Sequence, residues 1–258
     1  MINKNYIKLL RKKNENNSNF FIYEIISKRI IDSLDLIKVD FSNICEIGIN
    51  ENKTYKYLYN KFPESSFNRA DIYEASLDKK TYTNIINIDL ENLDFGSNKF
   101  NLIYSNSFLH LFKNFEKALE NIFISLKPNG LFIAALPDID NLYQLVNSMY
   151  EADSIIYNGV YQRFNPTINI ENILAVLKKL NYNIPTLTKN DVTIYYKDFK
   201  KLLQDLRETN LSYSYIDKRK YFENKKYFSL VESIYKKKFY KEEFILNLKF
   251  NIIIAWKK

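Results

Sequence analysis

Glycine is the scarcest common residue in this chain: four among 258 residues, where the usual share of about 7% would give about 18. Any turn that needs bare backbone or a positive φ must therefore be built mostly from other residues, and asparagine tolerates that region best. A single cysteine, Cys45, excludes an internal disulfide framework, and a single histidine, His110, leaves too few soft ligands for an ordinary zinc site. With five prolines and so few glycines, there is no linker rich in Gly, Ser or Pro, and no internal repeat is visible. No apolar run reaches the roughly 18 residues needed to cross a bilayer. Residues 1–19 carry Lys4, Lys8, Arg11, Lys12 and Lys13 but no apolar segment of a secretory signal. A reducing, cytoplasmic setting is expected, with peripheral membrane contact the most that a lipid surface would find here.

What is present is a globular composition. Apolar residues make up 46% of 258, enough to bury the core of one α/β domain and a cap. The formal charge of +8 invites a nucleic-acid partner, but the basic residues are spread along the chain within a general excess of Lys, Asn, Ile and Tyr. A solvated surface explains them better than a groove, so nucleic acid is not expected as a partner.

The stretch from Phe100 to Leu136 orders the rest. An apolar run, Phe100 to Tyr104, meets the polar turn Ser105-Asn106-Ser107. A helical pattern follows with Phe115, Ala118, Leu119, Ile122, Phe123 and Leu126 on one face; Lys127-Pro128-Asn129-Gly130 stops it, and Leu131 to Leu136 begins a second apolar run. Strand, helix, turn and strand form a βαβ unit, which belongs to a parallel sheet with ligands at the strand ends. Around it the periodicity predicts helices over 20–37, 54–62, 141–149, 170–180 and 199–207, with a charged helix within 217–238. Strands are predicted over 44–48, 66–70, 83–88 and 192–196, and a long β segment over 244–256. Alternating α and β elements argue for a doubly wound α/β sheet in one domain, 1–258. Within it, 1–40 is an N-terminal basic segment and helix, and 141–168 a cap or acceptor-side insertion.

Ile44-Cys45-Glu46-Ile47-Gly48-Ile49-Asn50-Glu51-Asn52 is a strand running into a glycine turn and a helix, an arrangement that gathers free N–H groups and a positive dipole. Two readings stand at this point. Either Asn50 holds a positive φ in a ligand-binding turn, or Glu46-x-Gly48 is an ordinary strand end. Asp71 lies 25 positions after Glu46, close to the roughly 20-residue offset at which dinucleotide folds place a ribose-binding acid. Asp89 ends the third strand.

These motifs resemble class I S-adenosylmethionine (SAM) methyltransferases. There D-L-I-x-S-N-x-x-L-H and L-K-P-x-G recur, and D/E-x-G-x-G-x-G stands where this chain has Glu46, Gly48, Asn50 and Asn52. The resemblance implies a Rossmann-like seven-stranded sheet of order 3-2-1-4-5-7-6 with its last strand antiparallel. It also implies SAM as cofactor, held by Glu46, Gly48, Asn50, Asp71, Ile72, Asp89, Leu90 and Asn106, with Asp71 on the ribose and Asp89 near the adenine amino group. Further matches point to one branch, the methyltransferase-like complex I assembly factors (whose mitochondrial member is an arginine hydroxylase) and the related BioC-type malonyl-carrier-protein O-methyltransferases. They are Leu10-Arg11-Lys12-Lys13 at the N-terminus, Asp140-Asn141-Leu142-Tyr143-Gln144-Leu145, Arg163-Phe164-Asn165-Pro166, Tyr196-Lys197-Asp198-Phe199 through Arg207, and the closing Ile254-Ala255-Trp256-Lys257. The chain departs from the branch at Val146 and Leu111, and Ser105-Asn106-Ser107-Phe108 is not the N/D-P-P-Y/F of enzymes that methylate adenine or glutamine nitrogen.

Methyl transfer from a sulfonium is an in-line displacement that rewards positioning, and a carboxylate acceptor needs no base. His110 and Tyr143 are the catalytic candidates, each with a structural alternative: a satisfied histidine and a packed tyrosine. No 2-His-1-carboxylate triad can be drawn, so hydroxylation rests on the resemblance alone. Three functions follow: an assembly-factor enzyme acting on a protein partner, an O-methyltransferase acting on an acyl carrier protein, or a scaffold that has lost SAM. Occlusion of the cleft would favour the third, and a basic rim the second.

Overall fold

A computed structural model describes residues 3–14, 21–50, 52–73, 84–165, 167–208, 214–215 and 223–258. Seven strands form one sheet, β1 (Asn43–Ile47), β2 (Ser66–Asp71), β3 (Asn84–Asn87), β4 (Phe100–Asn106), β5 (Leu126–Pro137), β6 (Tyr182–Tyr196) and β7 (Phe244–Lys257), in the order β3-β2-β1-β4-β5-β7-β6. The first five strands pair in parallel and β7 runs antiparallel to both β5 and β6. This is the expected doubly wound α/β order. Residues 83, 166 and 217–222, on which parts of the sequence reading fall, lie outside the described residues.

The helices are α1 (Lys4–Asn14), α2 (Phe21–Asp35), α3 (Lys53–Lys61), α4 (Phe115–Ser125), α5 (Tyr143–Tyr157), α6 (Ile170–Lys179), α7 (Phe199–Glu208) and α8 (Lys225–Phe239). Because side chains alternate along a strand, each central strand feeds two cores. Ile44, Leu102, Tyr104, Leu131 and Ile133 join α2, α3, α5, α7 and α8 on one face. Cys45, Ile47, Ile103, Phe132 and Ala134 join Ile7 of α1, α4 and α6 on the other. Asparagine supplies much of the punctuation: Asn114, Asn169 and Asn224 cap α4, α6 and α8 by accepting from Lys117, Glu171 and Tyr227 N–H groups. Asn129, inside β5 where its register with β4 shifts, takes φ 60° next to Gly130. A Cβ on Gly130 would meet the Lys127 and Phe100 carbonyl oxygens at 2.8 and 3.1 Å.

Several elements differ from the sequence reading: β5 begins at Leu126 rather than Leu131, and α5 runs to Tyr157 rather than 149. α1 is a full helix where only a basic segment is expected. β6 begins at Tyr182 rather than Val192, and Pro185 lies inside it. A proline is tolerated there because β6 is an edge strand and the register shifts between Asn183 and Thr186, with Ile184 at φ 44°.

The segment after α5 is tied down by charge. Asp153, fully buried, binds the Arg163 guanidinium through two of its nitrogens, and Arg163 also donates to Glu223 at 2.6 Å. Tyr157 donates to the same Glu223 at 2.6 Å. Replacing Arg163 by Met strands a buried carboxylate, which costs about 3–5 kcal/mol; a urea midpoint that moves by the equivalent of less than 1 kcal/mol would show that this network is not what holds the segment.

Candidate functional site

The carboxyl ends of β1, β2 and β4 converge with α1 and the turn after β4. Gly48 ends β1 at φ 81°, and its N–H donates to Ala70 O at 2.8 Å. The Phe108 ring lies directly on it: a Cβ at residue 48 would meet Phe108 Cγ at 2.0 Å. Glycine is thus required here twice, for its backbone angle and for the ring above it.

Asp71 is buried at the end of β2. One carboxylate oxygen accepts the Ile49 N–H at 2.7 Å and faces Arg11 Nη2 at 3.5 Å; the other accepts the Tyr73 N–H at 3.2 Å. Arg11 comes from α1 and is itself buried. Its Nη1 donates to Ile49 O at 2.8 Å and to Asn50 Oδ1, and its guanidinium stands 5.3 Å from the Phe108 ring centre. The Asn50 amide closes the circuit by donating to the backbone oxygens of Asn106 and Ser107. Asn50 is not among the described residues with positive φ. Its side chain works as a bridge between α1 and the β4 end, and of the two readings the left-handed Asn50 does not form.

The other cofactor candidates divide. Asn106 points away from the cleft floor and donates to Tyr23 O at 3.0 Å and Ser27 Oγ at 2.9 Å, fixing α2. Asp89 lies two residues past β3, half exposed, bound by Lys4 Nζ at 2.6 Å; that contact and the Glu91 N–H hold its carboxyl below the ordinary range. Ile72 and Leu90 are buried in the core on the α1 side. Glu46 is turned away altogether. Its carboxylate binds Arg69 of β2, which also donates to Asn52 Oδ1 at 2.8 Å and lies 4.6 Å from the Tyr55 ring centre. Two motif positions, Glu46 and Asn52, are therefore spent on one buried arginine.

His110 sits in a short 3-10 turn, Leu109–Leu111, beside the cleft. Burial pushes its pKa down to about 4, and among the described residues its Nδ1 has no hydrogen-bond partner. Nearby, burial raises the Tyr23 hydroxyl to about 12, against the opposing pull of Arg11. Tyr143, the second catalytic candidate, is not brought here. It packs edge-on against Phe239 of α8 and under Lys249 of β7. Cys45 faces the core, where burial pushes its thiol well above the ordinary range. Among the cleft residues that the sequence reading did not single out are Phe108 and Arg11; the signal for Arg11 is the i, i+3, i+7 placement of Lys4, Ile7 and Arg11 on one helical stripe.

Gly48, Asn50 and Asp71 are brought together at the strand ends, whereas Glu46 and Asn106 are turned to other partners. Among the described residues, the cavity bordered by Ile7, Arg11, Tyr23, Asn50, Ser107 and His110 is about 20 Å³, room for about one water. Among the described residues, Arg11 on Asp71 and Phe108 on Gly48 occupy the positions that a cofactor would approach.

Comparison with known proteins places the fold. Residues 45–134 match the family model described as a methyltransferase domain. The human arginine-hydroxylase NDUFAF5, mitochondrial, is 29% identical over 191 residues, 72% of this chain and 55% of that protein. This chain thus spans little more than half the length of that relative. Malonyl-(acyl-carrier protein) O-methyltransferase 2 of Ilyobacter polytropus is 25% identical over 197 residues, 71% of this chain and 73% of that one. The crystal structure of a putative methyltransferase from Bacillus halodurans C-125 superposes with a TM-score of 0.60 at 12% identity, covering 89% of this chain and 97% of that one. The fold is that of class I methyltransferases, and the resemblance to the assembly-factor and BioC-like branch holds.

Two outcomes follow from the site. Arg69→Met leaves Glu46 buried without its arginine and should cost about 3–5 kcal/mol, while Arg69→Met with Glu46→Leu should regain more than half of that; equal losses in single and double variants by urea denaturation would refute the pairing. The folded state keeps His110 neutral down to about pH 4, whereas the unfolded chain protonates it near pH 6.5. Unfolding therefore takes up a proton between these values, and stability falls as pH drops from 6.5 to 4, by on the order of 3 kcal/mol. His110→Leu should flatten that loss; denaturation curves of parallel slope across the window for both proteins would show that His110 does not titrate this way.

Proposed function

We propose that this chain is a methyltransferase-fold protein of the complex I assembly-factor type, acting on a protein partner, and that its packed form works as a scaffold without SAM. The observation that carries the second half is the buried Arg11 guanidinium on Asp71, Ile49 O and Asn50, which takes the acceptors a ribose would need. The first half is supported by the likeness to the arginine-hydroxylase relative over 72% of this chain. In this reading Asp71 anchors the β1–α3 turn through the Ile49 N–H, and Glu46 locks β1 to β2 through Arg69. Both acids have structural work where an active methyltransferase would use them on the cofactor.

A BioC-type O-methyltransferase is the second reading. Lys8 and Lys12 are exposed on α1 beside the cleft, and an acidic carrier protein would meet that basic rim. Among the described residues no helix is long and apolar enough to cross a membrane, and partner binding through exposed α1 lysines needs none.

Calorimetric titration tests both readings. SAM added to the full chain should give no heat, and Asn50→Gly alone should not restore it, because Arg11 and Phe108 still fill the cleft. Saturable heat from the unaltered chain at micromolar SAM would overturn the scaffold reading. Saturable heat with malonyl-acyl carrier protein would move the assignment to the second.

A further inference from the structure

We infer that α1 is an internal ligand of the methyltransferase cleft, a helix that takes the cofactor's place at both acids and can be withdrawn. The inference rests on reading that cleft as the cofactor cleft, and it adds what closes it and how.

The match between helix and cleft is specific. Lys4, Ile7 and Arg11 fall at i, i+3 and i+7, one stripe of the helix. Lys4 binds Asp89 at 2.6 Å and Glu91 at 3.4 Å, Ile7 is buried in the core between them, and Arg11 reaches Asp71. Seven residues of helix span about 10 Å, so a cation–apolar–cation stripe lies across an acid–core–acid surface. The two acids are the ones expected to take the ribose and adenine ends of SAM. Lys8, Leu9 and Lys12 of α1 are exposed.

The attachment is also light. α1 contributes one apolar side chain to the core, Ile7, whereas α2 buries Ile22, Tyr23, Ile26, Ile30 and Leu34. An 11-residue helix is marginal in water without tertiary support. Elements with few buried contacts open locally before the rest of the fold. Withdrawal of α1 would leave the sheet and both cores standing and uncover Asp71 and Asp89 together. Phe108 would still cover Gly48, so a ligand entering the opened cleft would have to move that ring as well.

Hydrogen exchange read by mass spectrometry on the full chain tests this. In the unaltered protein, α1 amides should exchange more slowly than in an unstructured chain but faster than those of β1 and β4. Lys4→Gln with Arg11→Gln should speed exchange in α1 at least tenfold and leave β1 and β4 unchanged. Lys4→Gln alone, a surface change that cannot threaten folding, should speed it about two- to threefold. Unchanged α1 exchange in Lys4→Gln, or α1 exchanging only in step with β1 and β4, would overturn the inference. Adding SAM separates it from the proposed function. SAM binding that speeds α1 exchange would end the scaffold reading and support the internal ligand, and binding with α1 still protected would overturn the internal ligand.

Discussion

A carboxylate buried at the end of a β-strand must be satisfied, and the way Asp71 is satisfied shapes everything around it. Desolvating an ionised acid costs several kcal/mol unless donors replace water. Here the donors are two backbone N–H groups and the Arg11 guanidinium. The first, from Ile49, fixes the turn after β1; the second, from Tyr73, fixes the exit of β2. Arg11 is the only one that arrives from a distant part of the chain, and bringing it in draws α1 across the strand ends. Once there, its remaining donors need acceptors, which Ile49 O and Asn50 Oδ1 provide. The closed cleft follows from one acid's need for a counter-charge.

Glycine scarcity explains why that solution is stable. In a glycine-rich loop, bare backbone N–H groups would wait for a ligand's oxygens. Asn50 and Asn52 bring their own amide groups, and both are engaged by arginines, Arg11 and Arg69. Asparagine does replace glycine's backbone freedom elsewhere: Asn98, Asn129, Asn158 and Asn181 all adopt positive φ. What it cannot replace is empty space. Gly48 is kept where both angle and space are demanded, and there the space is taken by Phe108.

Most of the fold was legible because burial imposes periodicity. The alternation and apolar runs of β1, β2, β4 and β5, and the helical stripes of α2, α4 and α6, are read directly from side chains that face a core. The sheet order came through resemblance, since periodicity does not fix which strands are neighbours. α1 was missed as an element because only Ile7 of its stripe is apolar and the other stripe members are charged, a pattern that reads as a solvated basic tail. The first ten residues of β6 were missed because an edge strand exposes every second side chain and contains Pro185, which ordinarily argues against a strand. Tyr143 packs as its structural alternative has it: its motif marks the start of α5, and the side chain meets Phe239 of α8, far along the chain.

The candidate site shows a different limit. Glu46, Gly48, Asp71 and Asp89 are picked out by type and position, and each has a partner in the structure: Arg69, Phe108, Arg11 and Lys4. A motif records which groups a strand end presents and carries no record of what faces them. Three of the four partners are cations on other elements, and cations in this chain are so common that none draws notice alone. Net charge is relevant here in a local way. Lys and Arg side chains here pair with internal acids, among them the buried Glu46 and Asp71 of the sheet. The same basic composition that first suggests an external polyanion is, at these positions, used inside the molecule.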